Sequence, residues 1–192
     1  MTLFSSDRER RLWLWTGVVL VAIYSTLGLA RRLADTLGDN AAIGVWLFLA
    51  CCFLVLAMVI TQGLSRRPRG GEILVALGVV AAYLLVFVRM SVPTERSHLI
   101  EYGAVALLMH EALRERAANR PDVGPQDGRV RAPGLMAILL ACTAGVVDEC
   151  IQWFVPGRVF DPIDIVFNVM AAVMAVSASV ALRWASSTWR KI

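Results

Sequence analysis

The chain has 192 residues, of which 58% are hydrophobic and 18% are charged. Soluble domains are about 45–50% apolar and about 25% charged, so this composition excludes an ordinary soluble domain and indicates a membrane protein. The formal net charge is +4. The basic residues gather at the ends of apolar stretches, which is typical of membrane orientation rather than of nucleic-acid binding. We therefore expect the lipid bilayer as a partner and no nucleic acid.

Six apolar stretches follow one another along the chain. A helix needs about 20 apolar residues to cross about 30 Å of hydrocarbon, and most of these stretches approach that length. The sequence therefore predicts an all-α, polytopic membrane bundle of six transmembrane helices. Pro133 and Pro162 predict two of the helix starts, because proline suits the first turn of a helix. The predicted spans are residues 12–30, 41–61, 72–90, 97–113, 133–155 and 162–184.

The basic residues also predict the orientation of the bundle. They are concentrated before the first span, in the connection 62–71, in the connection 114–132 and after the sixth span. The positive-inside rule therefore predicts that both termini are cytoplasmic. The composition of 119–128, the core of the connection 114–132, predicts a flexible linker. We expect a multi-pass membrane protein.

Polar residues are distributed unevenly among the spans. The first two spans carry almost no ionisable residue between their ends, so we expect residues 1–71 to face lipid or to contact other membrane proteins. Residues 72–192 are expected to form a four-helix membrane domain that holds the polar chemistry. His110 and Glu111, near the cytoplasmic end of the fourth span, are interpreted as a pair at the membrane interface.

A group of polar residues is expected to meet in the extracytoplasmic half of the membrane. In the predicted orientation the fourth and sixth spans begin at that face, and the fifth span ends there. The polar residues of each span recur at i+3 or i+4 spacing, which places them on one helix face. The candidate residues of this polar pocket are Glu95, Arg96, His98, Glu101, Tyr102, Asp148, Glu149, Gln152, Arg158, Asp161, Asp164 and Asn168.

Small residues accompany these polar residues on the fifth and sixth spans. Small side chains let two helices approach closely, so these faces are expected to be buried against each other. The residues concerned are Ala141, Ala144 and Gly145 on the fifth span, and Ala171, Ala172, Ala175 and Ser179 on the sixth.

The expected pocket carries more negative than positive charge, which is costly near lipid. A centrally placed Asp costs about 2.5–3.5 kcal/mol on insertion scales. We therefore expect that some carboxylates bind a proton or a cation, or stay in water. Under one interpretation the pocket is a structural network, in which Arg96 and Arg158 pair with the acids and fix the helix register.

Two further interpretations of the pocket are functional. In one, it binds a polar or charged head group or a glycan-bearing lipid, with Gln152 and Arg158 as contacts. In the other, acid–base groups or metal ligands make it catalytic, and the metal candidates are His98, Glu101 and Glu149. The spacing matches no common zinc motif, so the residues alone leave these alternatives open.

Several of these residues also carry a family resemblance. Residues 95–103, Glu-Arg-Ser-His-Leu-Ile-Glu-Tyr-Gly, resemble the start of one membrane span in VanZ-like proteins. Residues 148–152 and 155–158, followed by Asp164 and Asn168, resemble the rest of that pattern. The resemblance covers about residues 72–184 and leaves the first two spans outside it.

The resemblance implies a function that the residues alone do not. The member that gives the family its name is associated with low-level resistance to the glycopeptide antibiotic teicoplanin. By this resemblance we expect a protein of the bacterial inner (cytoplasmic) membrane that handles a lipid-linked envelope component or an amphiphilic drug, and not an enzyme. The alternatives are an accessory subunit of a larger membrane complex and an intramembrane acid–base or metal-dependent enzyme. Neither the residues nor the resemblance names a cofactor.

Overall fold

A computed structural model describes residues 4–37, 41–62, 68–90, 93–119, 132–155 and 160–189, with side chains except at 26–37, 41–42, 44, 62 and 93–95. Within these residues every regular element is an α-helix, which confirms the predicted all-α architecture of six helices. The helices are α1 (Asp7–Leu37), α2 (Ala41–Gln62), α3 (Gly70–Arg89), α4 (Pro93–Asn119), α5 (Pro133–Phe154) and α6 (Pro162–Trp189).

Three of the described helices have the length and composition of membrane spans. Among the described residues, α3, α5 and α6 are each long and apolar enough to cross a bilayer, and α2 contains the shorter apolar stretch Val45–Thr61. Large apolar side chains such as Trp46, Phe53 and Leu74 point away from the bundle. These features make the chain a membrane protein, whereas the predicted orientation of its ends stays a prediction.

Helix α4 lies at the centre of the bundle and packs against α1, α2, α5 and α6. Its residues Leu99, Tyr102 and Val105 are completely buried, so one helix connects the polar residues of several others. Because α1 and α2 both pack on α4, they belong to the same bundle as the other four helices. The predicted division between residues 1–71 and 72–192 stays a prediction.

The small residues of α5 and α6 are buried against the rest of the bundle, as predicted. At Gly145 the two helices approach so closely that an added Cβ would lie 2.9 Å from the Cβ of Asn168. Only a glycine fits there without movement of α6. The other small residues of these faces are also buried, namely Ala141, Ala144, Ala171, Ala172, Ala175 and Ser179.

The ends of α4 differ from the prediction. The helix begins at Pro93 rather than at residue 97, and it continues to Asn119 instead of ending at residue 113. The physical reason is that Glu115 and Arg116 form ion pairs with α1, which hold this charged extension in helical form. Residues 120–128 of the predicted linker lie outside the described residues.

Candidate functional site

Three helices bring His98, Glu149 and Asp164 together. Nε2 of His98 on α4 lies 3.5 Å from Oδ2 of Asp164 on α6. One ring nitrogen of His98 and one carboxylate oxygen from each acid all lie within 4.8 Å of one another. Glu149 is completely buried, His98 is 5% exposed, and the side chain of Asp164 is 17% exposed. We call these three residues the central cluster.

Glu149 is held in place by the junction between α5 and α6. The side-chain Nε2 of Gln152 donates a hydrogen bond to Oε1 of Glu149 at 2.9 Å. The backbone N–H of Asp161 donates to Oε2 at 3.2 Å. Asp161 in turn accepts a hydrogen bond from the backbone N–H of Ile163 at 2.8 Å, which satisfies a free donor at the start of α6. Both oxygens of Glu149 therefore have a fixed direction.

Aromatic side chains form one wall of the central cluster. The ring of Tyr102 stacks on the His98 ring, with 6.1 Å between the centroids. The Tyr102 hydroxyl lies 3.5 Å from the carbonyl oxygen of Ala144, which also accepts a 2.9 Å hydrogen bond from Tyr24 on α1. The buried carboxylate of Asp148 lies close to both tyrosine hydroxyls. Sequence reasoning missed Tyr24, because the only signal was a polar side-chain tip in an apolar span.

Asn168 and His98, at the central cluster, have buried atoms without a hydrogen-bond partner within the described part of the chain. Asn168 is completely buried, and neither Nδ2 nor Oδ1 of its carboxamide has such a partner. Nδ1 of His98 is also buried and has no hydrogen-bond partner among the described residues. Buried polar groups are nearly always hydrogen-bonded to protein, water or a ligand. These atoms are therefore suited to contact water or a bound molecule.

The remaining candidate residues are distributed around the cluster. Glu101 lies close enough to His98 for a charge interaction. Arg96 does not pair with the acids among the described residues: its Nε donates to the carbonyl of Met90 at 2.9 Å, and its guanidinium lies 5.0 Å from the centroid of the Phe87 ring. Residue 158 and the side chain of residue 95 lie outside the described part.

The central cluster holds two carboxylates and one imidazole, and no arginine or lysine in the described ranges pairs with these carboxylates. Neither Glu149 nor Asp164 forms an ion pair with a described arginine or lysine. Taking an ionised carboxylate out of water costs several kcal/mol unless a partner compensates it. The arrangement can thus bind a proton, a cation or a head group rich in hydrogen-bond donors.

The sequence model of the VanZ/LLP1 family matches residues 25–183 of this chain, which is most of its length. This chain belongs to the VanZ/LLP1 family. The match confirms the resemblance and contains every residue of the central cluster. It begins before α2, so the family likeness extends further toward the N-terminus than the predicted range 72–184. No curated protein and no solved structure matches the chain.

A second buried cluster of this VanZ/LLP1 protein lies near the opposite end of α4. Its centre is Glu111, whose carboxylate accepts hydrogen bonds from Arg8 on α1, from Arg114 and from Arg183 on α6. Glu111 is only 7% exposed, and the neighbouring His110 is also buried. The sequence indicated only an interfacial pair here, because two of the three arginines that bind Glu111, Arg8 and Arg183, lie on other helices.

Additional ion pairs fasten α1 to the end of α4. Glu9 precedes the apolar part of α1 and is completely buried. Its Oε1 accepts a 2.7 Å hydrogen bond from Nε of Arg116. Burial raises the pKa of Glu9, but hydrogen bonds from Ser5 and Arg116 outweigh it and hold the pKa below its ordinary value. Glu115 pairs with Arg8 at 2.7 Å. These contacts stabilise the bundle and leave the central cluster as the candidate site.

Proposed function

We propose that this VanZ/LLP1 membrane protein binds the polar head of an amphiphilic molecule at the central cluster. The molecule is a lipid-linked component of the cell envelope or an acylated, glycopeptide-type drug. One observation carries the proposal: polar side chains from three helices converge at the central cluster, and buried atoms of His98 and Asn168 have no hydrogen-bond partner in the described residues.

The chemistry of the cluster favours a head group that donates hydrogen bonds. Ionised carboxylates only accept hydrogen bonds, and Glu149, Asp164 and Asp148 supply several acceptor oxygens. Sugar hydroxyls and ammonium groups are donors of this kind. The carboxamide of Asn168, which both donates and accepts, supplies a contact deeper between α5 and α6.

The surroundings of the cluster fit the apolar part of such a molecule. Trp153, Phe154 and Ile163, near the same ends of α5 and α6, are strongly exposed. In a bilayer these side chains contact acyl chains, so a lipid tail can stay in the membrane while its head reaches Glu149 and Asp164. If the predicted orientation is right, the head enters from the extracytoplasmic leaflet of a bacterial inner membrane.

Binding of teicoplanin, which carries an acyl chain, tests the proposal directly. The purified protein in lipid nanodiscs is titrated with fluorescently labelled teicoplanin, and a glycopeptide without an acyl chain serves as the comparison ligand. We expect saturable binding of teicoplanin that weakens at least about tenfold in Asp164→Asn, which corresponds to about 1.4 kcal/mol. Glu115→Gln, in the other cluster, is the matched control and should bind like the unchanged protein.

Two results would contradict the proposal. Binding that is equal in Asp164→Asn and Glu115→Gln would show that the central cluster does not contact the drug. Binding that rises linearly with ligand, and equally in empty nanodiscs, would show partition into lipid. The same titration with lipid-linked sugar precursors extracted from bacterial membranes distinguishes an envelope component from a drug.

A further inference from the structure

We propose that the central cluster binds a divalent transition-metal ion, with one ring nitrogen of His98 and one carboxylate oxygen each of Glu149 and Asp164 as the protein ligands. This inference goes beyond the proposed function, since an ion can occupy these residues whether or not an amphiphile is bound. The metal candidates expected from the sequence were His98, Glu101 and Glu149. The tertiary structure brings Asp164 into the set instead of Glu101.

The distances within the cluster are close to those of a metal site. Zinc–ligand bonds are about 2.0–2.2 Å long and tetrahedrally arranged, so two ligand atoms of one ion are about 3.4 Å apart. The three ligand atoms lie within 4.8 Å of one another, and His98 and Asp164 lie 3.5 Å apart. His98 and Asp164 are therefore already at the separation of two ligands of one ion, and the other separations have to shorten from at most 4.8 Å.

The donor atoms indicate which class of ion fits. One imidazole nitrogen with two carboxylate oxygens suits Zn²⁺, Mn²⁺ or Fe²⁺, whereas soft thiolate ligands, which select Cu⁺, are absent from the set. Three protein ligands leave at least one coordination position open. Water or a hydroxyl oxygen of a bound head group can take that position.

A second observation, independent of the ligand distances, also points to an occupant. The carboxamide of Asn168 is completely buried, and its polar atoms have no partner in the part of the chain that the structure describes. Asn168 lies one helical turn beyond Asp164, and it packs against Gly145, one turn from Glu149. A hydrated ion between Glu149 and Asp164 brings water to this place, and that water can bond to Asn168.

The charge of the cluster gives the ion a stabilising role. Glu149 and Asp164 have no arginine or lysine partner among the described residues. A divalent ion compensates two carboxylates at once and joins α4, α5 and α6. Binding of the ion should therefore raise the thermal stability of the bundle, because a ligand that binds only the folded state stabilises it.

The test uses full-length protein without a histidine tag, purified in detergent and freed of metal by chelation. Zn²⁺ is added and the excess is removed, and bound zinc is counted by mass spectrometry; titration calorimetry gives the affinity. We expect about one ion per chain. Mutation of a residue that only hydrogen-bonds to a metal ligand costs about 10–100-fold in metal affinity. Loss of a ligand itself, in Glu149→Gln or Asp164→Asn, should therefore lower the zinc affinity at least about 100-fold.

Two further variants show whether the site is a defined set of ligands. Glu115→Gln removes a carboxylate of the other cluster and should bind zinc like the unchanged protein. Asp161→Asn removes a negative charge beside Glu149 but keeps an oxygen that can cap α6. We expect it to weaken binding by at most a few-fold. A loss in Asp161→Asn as large as in Glu149→Gln would overturn the proposal in favour of a diffuse acidic patch.

A spectroscopic measurement keeps the proposal testable if the ligand variants do not fold. The chain has only two histidines, so His110→Asn leaves His98 as the only imidazole. With Mn²⁺ bound and histidine labelled with ¹⁵N, electron–nuclear double resonance should detect coupling to that nitrogen. Absence of zinc from the unchanged protein, or of nitrogen coupling, overturns the proposal. No amphiphile is present, so either outcome leaves the head-group proposal to its own test.

Discussion

Nε2 of His98 lies 3.5 Å from Oδ2 of Asp164, although the two residues belong to helices that are separated in sequence by the whole of α5. This contact depends on the close packing of α6 against α4 and α5. The small side chains on α5 and α6 allow that packing, which is tight where Gly145 faces Asn168.

Gly145→Ala should destabilise the protein and disturb the central cluster. The added Cβ would lie 2.8 Å from Nδ2 and 2.9 Å from Cβ of Asn168, so α6 must shift. Overpacking of this kind costs about 1–3 kcal/mol. Thermal unfolding in detergent measures the effect. The control is Gly78→Ala on α3, where an added Cβ meets nothing within 4 Å. Equal stability of the two variants would contradict the predicted close approach.

Glu111→Ala should destabilise the bundle strongly, because it leaves Arg8, Arg114 and Arg183 close together without their shared acid. Loss of one partner from a buried ion pair costs about 3–5 kcal/mol, and we expect the lower end because Arg8 is half exposed. Glu115→Ala, whose pair with Arg8 is more exposed, should cost at most about 1 kcal/mol. The free energy of unfolding of both variants, measured by denaturation under the same conditions, shows whether Glu111 stabilises the bundle more than Glu115 does.

The stability of the α1–α4 contact should fall in acid. Burial raises the pKa values of Glu9 and Glu115, but hydrogen bonds and nearby arginines outweigh it and hold both below their ordinary value of 4.5. A carboxyl whose folded pKa is lowered contributes stability that is complete above its unfolded pKa. That contribution should decrease as the pH falls below about 4.5. Melting temperatures measured between pH 6 and pH 3 should show a smaller decrease for Glu9→Gln than for the unchanged protein.

Arg96→Gln should leave the central cluster intact. The Arg96 guanidinium lies over the Phe87 ring of α3 and bonds to the carbonyl of Met90, away from Glu149 and Asp164. The expected cost is about 0.5–1 kcal/mol, the value of an exposed cation–π contact. Zinc affinity and thermal stability are the measurements. A large gain in zinc affinity would instead support the interpretation in which Arg96 pairs with the acids, because loss of its positive charge would free the carboxylates for the ion.

Reporter fusions test the predicted orientation of the bundle. Alkaline phosphatase fused after residue 192 should be inactive and green fluorescent protein at the same place should fluoresce, because the positive-inside rule places this end in the cytoplasm. Phosphatase fused within residues 156–159 should be active. The reverse pattern would place the central cluster in the cytoplasmic half of the membrane and would redirect the head-group proposal to that leaflet.

Much of the helical architecture could be predicted from local sequence. Apolar length, the prolines at positions 133 and 162, and the spacing of small residues indicated six helices and the faces of α5 and α6 that are buried. The helical period also placed His98, Glu149 and Asp164 on faces that could meet. These features depend on residues three or four positions apart, which is the range within which a helix fixes geometry.

Only the tertiary structure decided which side chains become partners. Glu111 binds arginines from three helices, Arg96 lies against α3 instead of the acids, and Tyr24 reaches the carbonyl of Ala144 from α1. Each contact depends on how far a helix is rotated and shifted along its neighbour. The packing of the whole bundle around α4 sets that rotation and shift, and the spacing of residues within a single helix does not predict them.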